Sequence, residues 1–302
     1  MEPAKKIKHL VIAGGGVSGL SAYGVLRESH RAGFWDINNI ETIYGTSIGA
    51  ILSVFLCLKY SWEDLDDYIL KRPWQNVFKF EVHSAFRAYE NRGIFDKKII
   101  EELLLPLLKG NDMDQHSTLR DLYEKTNVTI HVNSTELNSY KIVDISHMTH
   151  PEWTVIDAVY CSACLPILFS PHLKDDECYI DGGTIMNYPL GLCIDAGNDP
   201  DTIFGITLAR VDQSTNRVTT NSNLLDHMTV LLSKIYEYAC YTRLTKHVIK
   251  YEIQLENNMI SIYDIMNAAS SYEQRLIFIT KGVELWKTYS DHLFCSGNDQ
   301  LC

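Results

Sequence analysis

Ser47 stands between two glycines in Gly45-Thr46-Ser47-Ile48-Gly49. The β-branched and aromatic pair Ile43-Tyr44 precedes Gly45, and an apolar stretch, Ile48 to Leu56, follows the serine. This G-x-S-x-G pattern reads as strand, sharp turn and helix, which presents a serine hydroxyl at the start of a helix. Gly45 and Gly49 remove Cβ atoms where the strand and helix backbones crowd together. The helix N-terminus adds partial positive charge beside the hydroxyl. The chemistry such a serine would do is nucleophilic attack. The same residues would also suit a serine that only caps a helix in a glycine-rich turn. A nucleophile needs a base and a stabiliser for the charge it creates, so the rest of the chain must supply both.

Two stretches are candidates. Gly14-Gly15-Gly16-Val17-Ser18-Gly19 follows an apolar run, and consecutive glycine N–H groups at a helix start can converge on a developing oxyanion. The same loop matches the G-x-G-x-x-G dinucleotide fingerprint, which wants an acid at the end of the next strand. Glu41 precedes most of that strand, so it lies at the wrong end for a ribose. The second candidate is Asp181 in Tyr179-Ile180-Asp181-Gly182-Gly183, an acid at a strand end with two glycines that let another backbone come close. Asp-Gly-Gly also makes an ordinary tight turn. His172, His227 and His247 are the histidines that would complete a Ser–His–Asp arrangement.

Other chemistry-bearing residues form no set. Cys161-x-x-Cys164 lacks a second pair, and His147 and His150 lack further ligands, so no metal site is expected. Asp175-Asp176-Glu177 reads as a solvated turn. A net charge of -11 argues against a nucleic-acid binder. The cysteines follow no disulfide framework, and Met1 to Lys8 is polar and lysine-rich rather than a secretory signal. These features predict a cytoplasmic setting. The longest apolar run, Ile48 to Leu58, is too short to span a bilayer and suits a buried helix.

The elements that must position these residues follow from their patterns. His9 to Ala13 reads as a buried strand, Leu20 to Ala32 as a helix and Asn38 to Tyr44 as the second strand. This strand, loop, helix, strand, turn, helix order predicts a parallel sheet with helices on its faces. Ser61 to Gly110 is mostly helical and aromatic. Trp62, Tyr68, Trp74, Phe78, Phe80, Phe86 and Tyr89 are expected in the core, with lining of an acyl pocket as the alternative. Pro106 marks a kink or early end in a helix over Glu101 to Lys109. Val128 to Asn133, Lys141 to Ile145, Cys178 to Asp181, Thr202 to Leu208 and Val248 to Leu255 read as strands. Leu119 to Lys125, Thr154 to Cys161, Leu224 to Tyr241 and Tyr272 to Tyr289 read as helices, the third of these amphipathic.

Taken in order, these motifs resemble the patatin-like phospholipase family over roughly His9 to Arg210. The stretches Arg92-Gly93-Ile94-Phe95-Asp96, Ser162 to Pro171 and Asn187-Tyr188-Pro189 add to the resemblance. It implies an α/β, three-layer fold with a mostly parallel central sheet flanked by helices and a nucleophile elbow. The catalytic domain would cover 9–210, and a mostly helical extension, 211–302, would pack on the same domain. The activity implied is that of a lipid acyl hydrolase, of phospholipase A or acylglycerol esterase type, working through a Ser–Asp dyad and an acyl-enzyme. Ser47 would be the nucleophile and Asp181 the proton acceptor. Gly14, Gly15, Gly16 and Gly19 would form the oxyanion hole, and Gly45, Gly49, Gly182 and Gly183 would frame the motifs. No cofactor is implied, calcium included. The partner would be a lipid or phospholipid substrate met by peripheral membrane contact. One position departs from the family: many members carry a basic residue where this chain has Ser18, so neutral lipid esters stand beside phospholipids as substrates. A Ser–His–Asp esterase and a nucleotide-binding module using Gly14 to Gly19 remain the alternatives.

Overall fold

The structure, a computed structural model, describes residues 6–78, 88–209, 217–243, 247–256 and 262–295. Phe80 and Phe86, named above, lie outside these residues.

Strand β1 (His9–Ile12) is apolar on both sides because it lies between two apolar layers. Leu10 and Ile12 enter the larger core, while Val11 enters a smaller one together with Ala13. Strand β2 (Thr42–Thr46) divides Ile43 and Tyr44 in the same way. The two strands run parallel, with His9 opposite Thr42 and Ile12 opposite Gly45. The loop after β1 and the turn after β2 therefore leave the sheet at the same edge. Strand β4 (Thr129–Glu136) lies parallel on the far side of β2. Strand β9 (Ile203–Leu208) lies parallel on the other side of β1, and β10 (Tyr251–Leu255) lies parallel beyond it.

The C-terminal half of β4 changes partners. It pairs antiparallel with β5 (Lys141–Ile145) and with β8 (Glu177–Asp181), and β7 (His172–Lys174) pairs antiparallel with β8. The order is β10-β9-β1-β2-β4-β8-β7, with β5 also on β4. Two strands that the residue pattern does not announce, β3 (Gly93–Phe95) and β6 (Ile167–Phe169), form a separate parallel pair. Three residues are too few to show a period of two. Asp175 and Asp176, with φ of 51° and 65°, make the tight turn between β7 and β8.

Helices cover both faces. On the larger face lie α1 (Gly19–Arg31), α2 (Ile48–Cys57), α3 (Trp62–Lys71), α4 (Lys98–Gly110), α5 (Leu119–Thr126), α6 (Val155–Ala163) and α10 (Tyr272–Cys295). The short α7 (Leu190–Asp195) covers the smaller core. Two further helices are α8 (Leu224–Arg243) and α9 (Ile262–Ser270). The fold is thus α/β, with a mostly parallel sheet between helical layers. Helix α10 meets α1 backbone to backbone: a Cβ on Gly24 would lie 2.2 Å from the Ile279 carbonyl oxygen. Beyond residue 210, β10 adds a strand to the main sheet.

Two expectations need correction. The early end expected at Pro106 does not occur, since helix α4 continues through it to Gly110. Pro106 is exposed, so the carbonyl left without its N–H partner faces water and the helix survives. Tyr89 is 92% exposed and belongs to no core, since an aromatic side chain alone does not specify burial. No helix among the described residues is long and apolar enough to cross a membrane; the run Ile48 to Leu58 is the buried α2 and its cap.

Candidate active site

Strand β4 brings the site together. Along one side of it β2 arrives from one end and β8 from the other, because β5 occupies the opposite side at both registers. Asn133 pairs with Thr46, and the next residue, Ser134, pairs with Asp181. The C-terminal tips of β2 and β8 therefore meet at one point, which places Ser47 beside Asp181. Gly182 makes the meeting possible, since a Cβ there would lie 2.2 Å from the Asn133 carbonyl oxygen.

Ser47 adopts φ 55° and ψ -121°, a backbone conformation costly for any residue with a Cβ. Its side chain makes no capping hydrogen bond to α2, so capping does not explain the serine. The turn is tight because Gly49 packs on β1 and Gly45 packs on Gly49. A Cβ on Gly49 would sit 2.3 Å from the Ile12 oxygen, and one on Gly45 would sit 2.5 Å from the Gly49 carbonyl carbon. A relay holds the strained residue in place. The Ser47 N–H donates to Ser162 Oγ at 2.8 Å, and the Ser162 hydroxyl donates to the Asn133 carbonyl at 2.6 Å. Ser162 is wholly buried.

Asp181 is 1% exposed. Burial pushes its carboxyl up to about 6, against the opposing influence of the Ser47 hydroxyl and the Gly183 N–H. Its Oδ1 accepts the Gly183 N–H at 2.8 Å, which is the tight-turn use of Asp-Gly-Gly. Its Oδ2 is buried without a fully formed hydrogen bond among the described residues. The Ser47 hydroxyl approaches closely enough to favour the ionised acid, yet falls short of a full bond. Such bonds are commonly loose before substrate binds.

The glycine loop divides into two functions. The Gly14 N–H donates to the Asn187 carbonyl at 3.2 Å, and Asn187 Nδ2 returns a bond to the Gly14 oxygen at 2.9 Å. The Gly19 N–H donates to the Gly16 and Val17 carbonyls. Gly14 and Gly19 are thus engaged in building the loop. The N–H groups of Gly15 and Gly16 have no backbone partner among the described residues. Gly19 also makes room for Ile48, whose Cγ1 would lie 2.0 Å from a Cβ there. Ser18 is 1% exposed and donates to the Glu256 carbonyl at 3.4 Å, so this position is covered by the segment after β10.

None of the three histidines bonds to Ser47 or Asp181. His172 packs among Trp153, Tyr160 and Tyr179, His227 is exposed, and His247 lies against Gly191. Glu41 pairs with Lys8 at 2.7 Å where β2 begins, the sheet edge away from the glycine loop. Cys161 and Cys164 are buried, and the Cys164 thiol donates to the Tyr179 carbonyl. His147 stacks on Tyr123, and His150 lies edge-on to Trp153.

A cavity of about 200 Å³ adjoins Ser47 and is walled almost entirely by apolar side chains. Trp74 and Phe78 line it, so both proposed uses of the aromatics occur; Trp62 and Tyr68 instead pack with their neighbours. Ser162 and Asn133 had not been singled out for the site. For Ser162 the signal is a serine in the mainly apolar run Ala158 to Leu165; Asn133, in a strand that also carries Thr129, His131, Ser134, Thr135 and Glu136, has none.

Residues 10–194 match the sequence model of the family described as patatin-like phospholipase. An uncharacterized protein of Acanthamoeba polyphaga mimivirus is 27% identical over 209 residues, 69% of this chain and 68% of that protein. A probable lipid hydrolase of Invertebrate iridescent virus 6 is 25% identical over 192 residues, 63% of this chain and 64% of that protein. Among solved structures, VipD from Legionella pneumophila matches with a TM-score of 0.55 at 15% identity, covering 95% of this chain and 67% of VipD, which is a likeness of fold. The serine turn, the glycine loop and the Asp-Gly-Gly strand end fall within a family match that covers more than half of the sequence, and the chain belongs to the patatin-like phospholipase family.

Proposed function

We propose that this protein is a lipid acyl hydrolase in which Ser47 and Asp181 act as a dyad. The observation that carries the proposal is their meeting on β4 beside the apolar cavity that Ser47 lines. Family membership supports the reaction class, and the name of the iridescent virus relative points the same way.

Ser47 Oγ attacks the ester carbonyl carbon of a lipid whose acyl chain lies in the cavity. Its proton passes to Asp181 Oδ2, the oxygen left without a full bond. The electron pair displaced onto the carbonyl oxygen is met by the N–H groups of Gly15 and Gly16, at the mouth of a helical turn. Collapse expels the alcohol, which takes the proton from Asp181 and leaves an acyl-serine. Water repeats the sequence, giving its proton to Asp181 and releasing the fatty acid as Ser47 recovers its hydrogen. A carboxyl near 6 is ionised at neutral pH, and it is a stronger base than an ordinary carboxylate. Peripheral contact with lipid is assigned to α8, which exposes Leu224, Met228, Leu231, Ile235 and Tyr238 along one side and packs on the turn Gly182–Thr184 next to Asp181.

The test is a hydrolysis panel of phosphatidylcholine, monoacylglycerol and triacylglycerol, run with wild type and Ser47→Ala. Wild type should release fatty acid from at least one of them, and Ser47→Ala should release none while keeping its fold. A fluorophosphonate should label Ser47. Undiminished turnover by Ser47→Ala would overturn the proposal.

A further inference from the structure

The cavity beside Ser47 is not walled by the family-matched residues alone. Helix α9 contributes Ile265, Ala268 and Ala269, and the first turn of α10 contributes Arg275. All four lie beyond residue 194, where the family match ends.

Their place along the cavity follows from the packing. From Ser47 the cavity follows α2 past Ile48, Ile51, Leu52 and Phe55, positions on one helical face. That path is roughly 12 Å at 1.5 Å per residue, with Phe55 at the end away from Ser47. Tyr68 packs edge-on against both Phe55 and Trp74, and Trp74 Nε1 donates to the Ile69 carbonyl at 2.8 Å. Arg275 reaches the next carbonyl, that of Leu70, at 2.7 Å. Its other arm donates to the carbonyls of Ala268 at 2.7 Å and Ala269 at 3.1 Å. The guanidinium thus joins the C-terminal turns of α3 and α9 at the end of the cavity away from Ser47. Helix α9 also touches both the turn Gly16–Ser18 and the turn Trp74–Asn76, so it walls the cavity along its length.

Arg275 is 6% exposed and makes no ion pair among the described residues. The carbonyl ends of two helices offset its charge. Its Nε is buried without a partner. A methyl-terminated chain cannot satisfy that N–H, so reaching it brings no gain. Ala268 and Ala269 leave space before it that any larger side chain would fill.

We propose that Ala268, Ala269 and Arg275 form the end stop of the acyl cavity, so that the segment beyond the family-matched residues sets the length of acyl chain accepted. This rests on the lipid-hydrolase reading above. Arg275 acts as a positioning residue that fixes the stop, and the alanines determine its depth.

The experiment measures kcat/KM of wild type, Ala268→Leu and Ala269→Leu on p-nitrophenyl butyrate, octanoate and palmitate. At least one leucine variant should lose about tenfold or more on the longest ester that wild type cleaves well, the discrimination expected from a few methylenes in an apolar pocket. Butyrate does not reach the stop, so the ratio of long-ester to butyrate kcat/KM should fall about tenfold. Equal losses on all three esters, or no loss on the long ones, would overturn the end stop. If a leucine variant does not fold, Ala269→Val should give a smaller shift in the same direction, and its absence counts against the idea. Wild type inactive on every ester would instead overturn the hydrolase reading itself.

Discussion

Replacing Asp181 with asparagine should abolish turnover and, at neutral pH, make the protein more stable. The carboxyl is buried and raised to about 6 from an ordinary 3.8. Its folded-state pKa lies above its unfolded value, so its contribution to stability is fully present below about pH 4 and is lost as pH rises through about 6. A shift of about two units corresponds to about 3 kcal/mol lost in full above pH 7. That is a large share of the 5–15 kcal/mol typical of a folded domain. Asparagine is nearly isosteric and its Oδ1 can keep the Gly183 N–H, yet it carries no charge to desolvate. The Asp181→Asn variant should therefore lack this pH dependence. Urea unfolding of both proteins from about pH 4 to about pH 8 checks it. The variant's advantage should grow by about 2–3 kcal/mol across that range, mostly between pH 4 and pH 7. A constant difference, or one that shrinks with pH, would mean that Asp181 ionises without cost and that burial does not tune it. The gain in stability alongside lost activity is the trade expected when a buried charge is retained for chemistry.

The same ionisation sets the rate profile: kcat of wild type should rise with pH through about 6 and level off above it, because only the ionised Asp181 accepts the Ser47 proton. A profile flat from pH 5 to 8 would refute that role. Ser162→Ala leaves the buried Ser47 N–H without its acceptor, so stability should fall by about 1–3 kcal/mol. Its kcat should drop about tenfold or more with KM little changed, since the elbow loses its alignment, and Ser162→Thr should restore part of the rate if it keeps the relay. Changing Leu231 and Ile235 together to serine should weaken binding to phosphatidylcholine vesicles in flotation assays while p-nitrophenyl butyrate turnover stays near wild type. Equal vesicle binding would remove α8 as the lipid-facing surface.

Much of the fold was legible in residue order because its signals are local. Apolar runs ending at or next to glycine marked β1, β2 and β8, an apolar run alone marked β9, and helical spacing marked α1, α8 and α10. The helix α9 and the strands β3, β6 and β7 were not read, being short or lacking a clear period. Pro106 does not end α4, because the local rule takes no account of which side faces water.

For the site, the glycines at 45, 49 and 182 told the most, since a residue without a Cβ records a close approach whose partner need not be known. Sequence alone thus determined that a serine sits in a crowded strand-to-helix turn and that an aspartate ends a strand where another backbone draws near. Only the tertiary structure decided that these are the same place, through the switch of partners between Asn133 and Ser134 on β4. It also decided that Gly14 and Gly19 are engaged within the loop, that the N–H groups of Gly15 and Gly16 have no backbone partner among the described residues, and that α9 and Arg275 line the cavity. The reason is physical: sterics and hydrogen-bond periodicity act between neighbours along the chain, whereas strand register and burial are set by residues far apart in it.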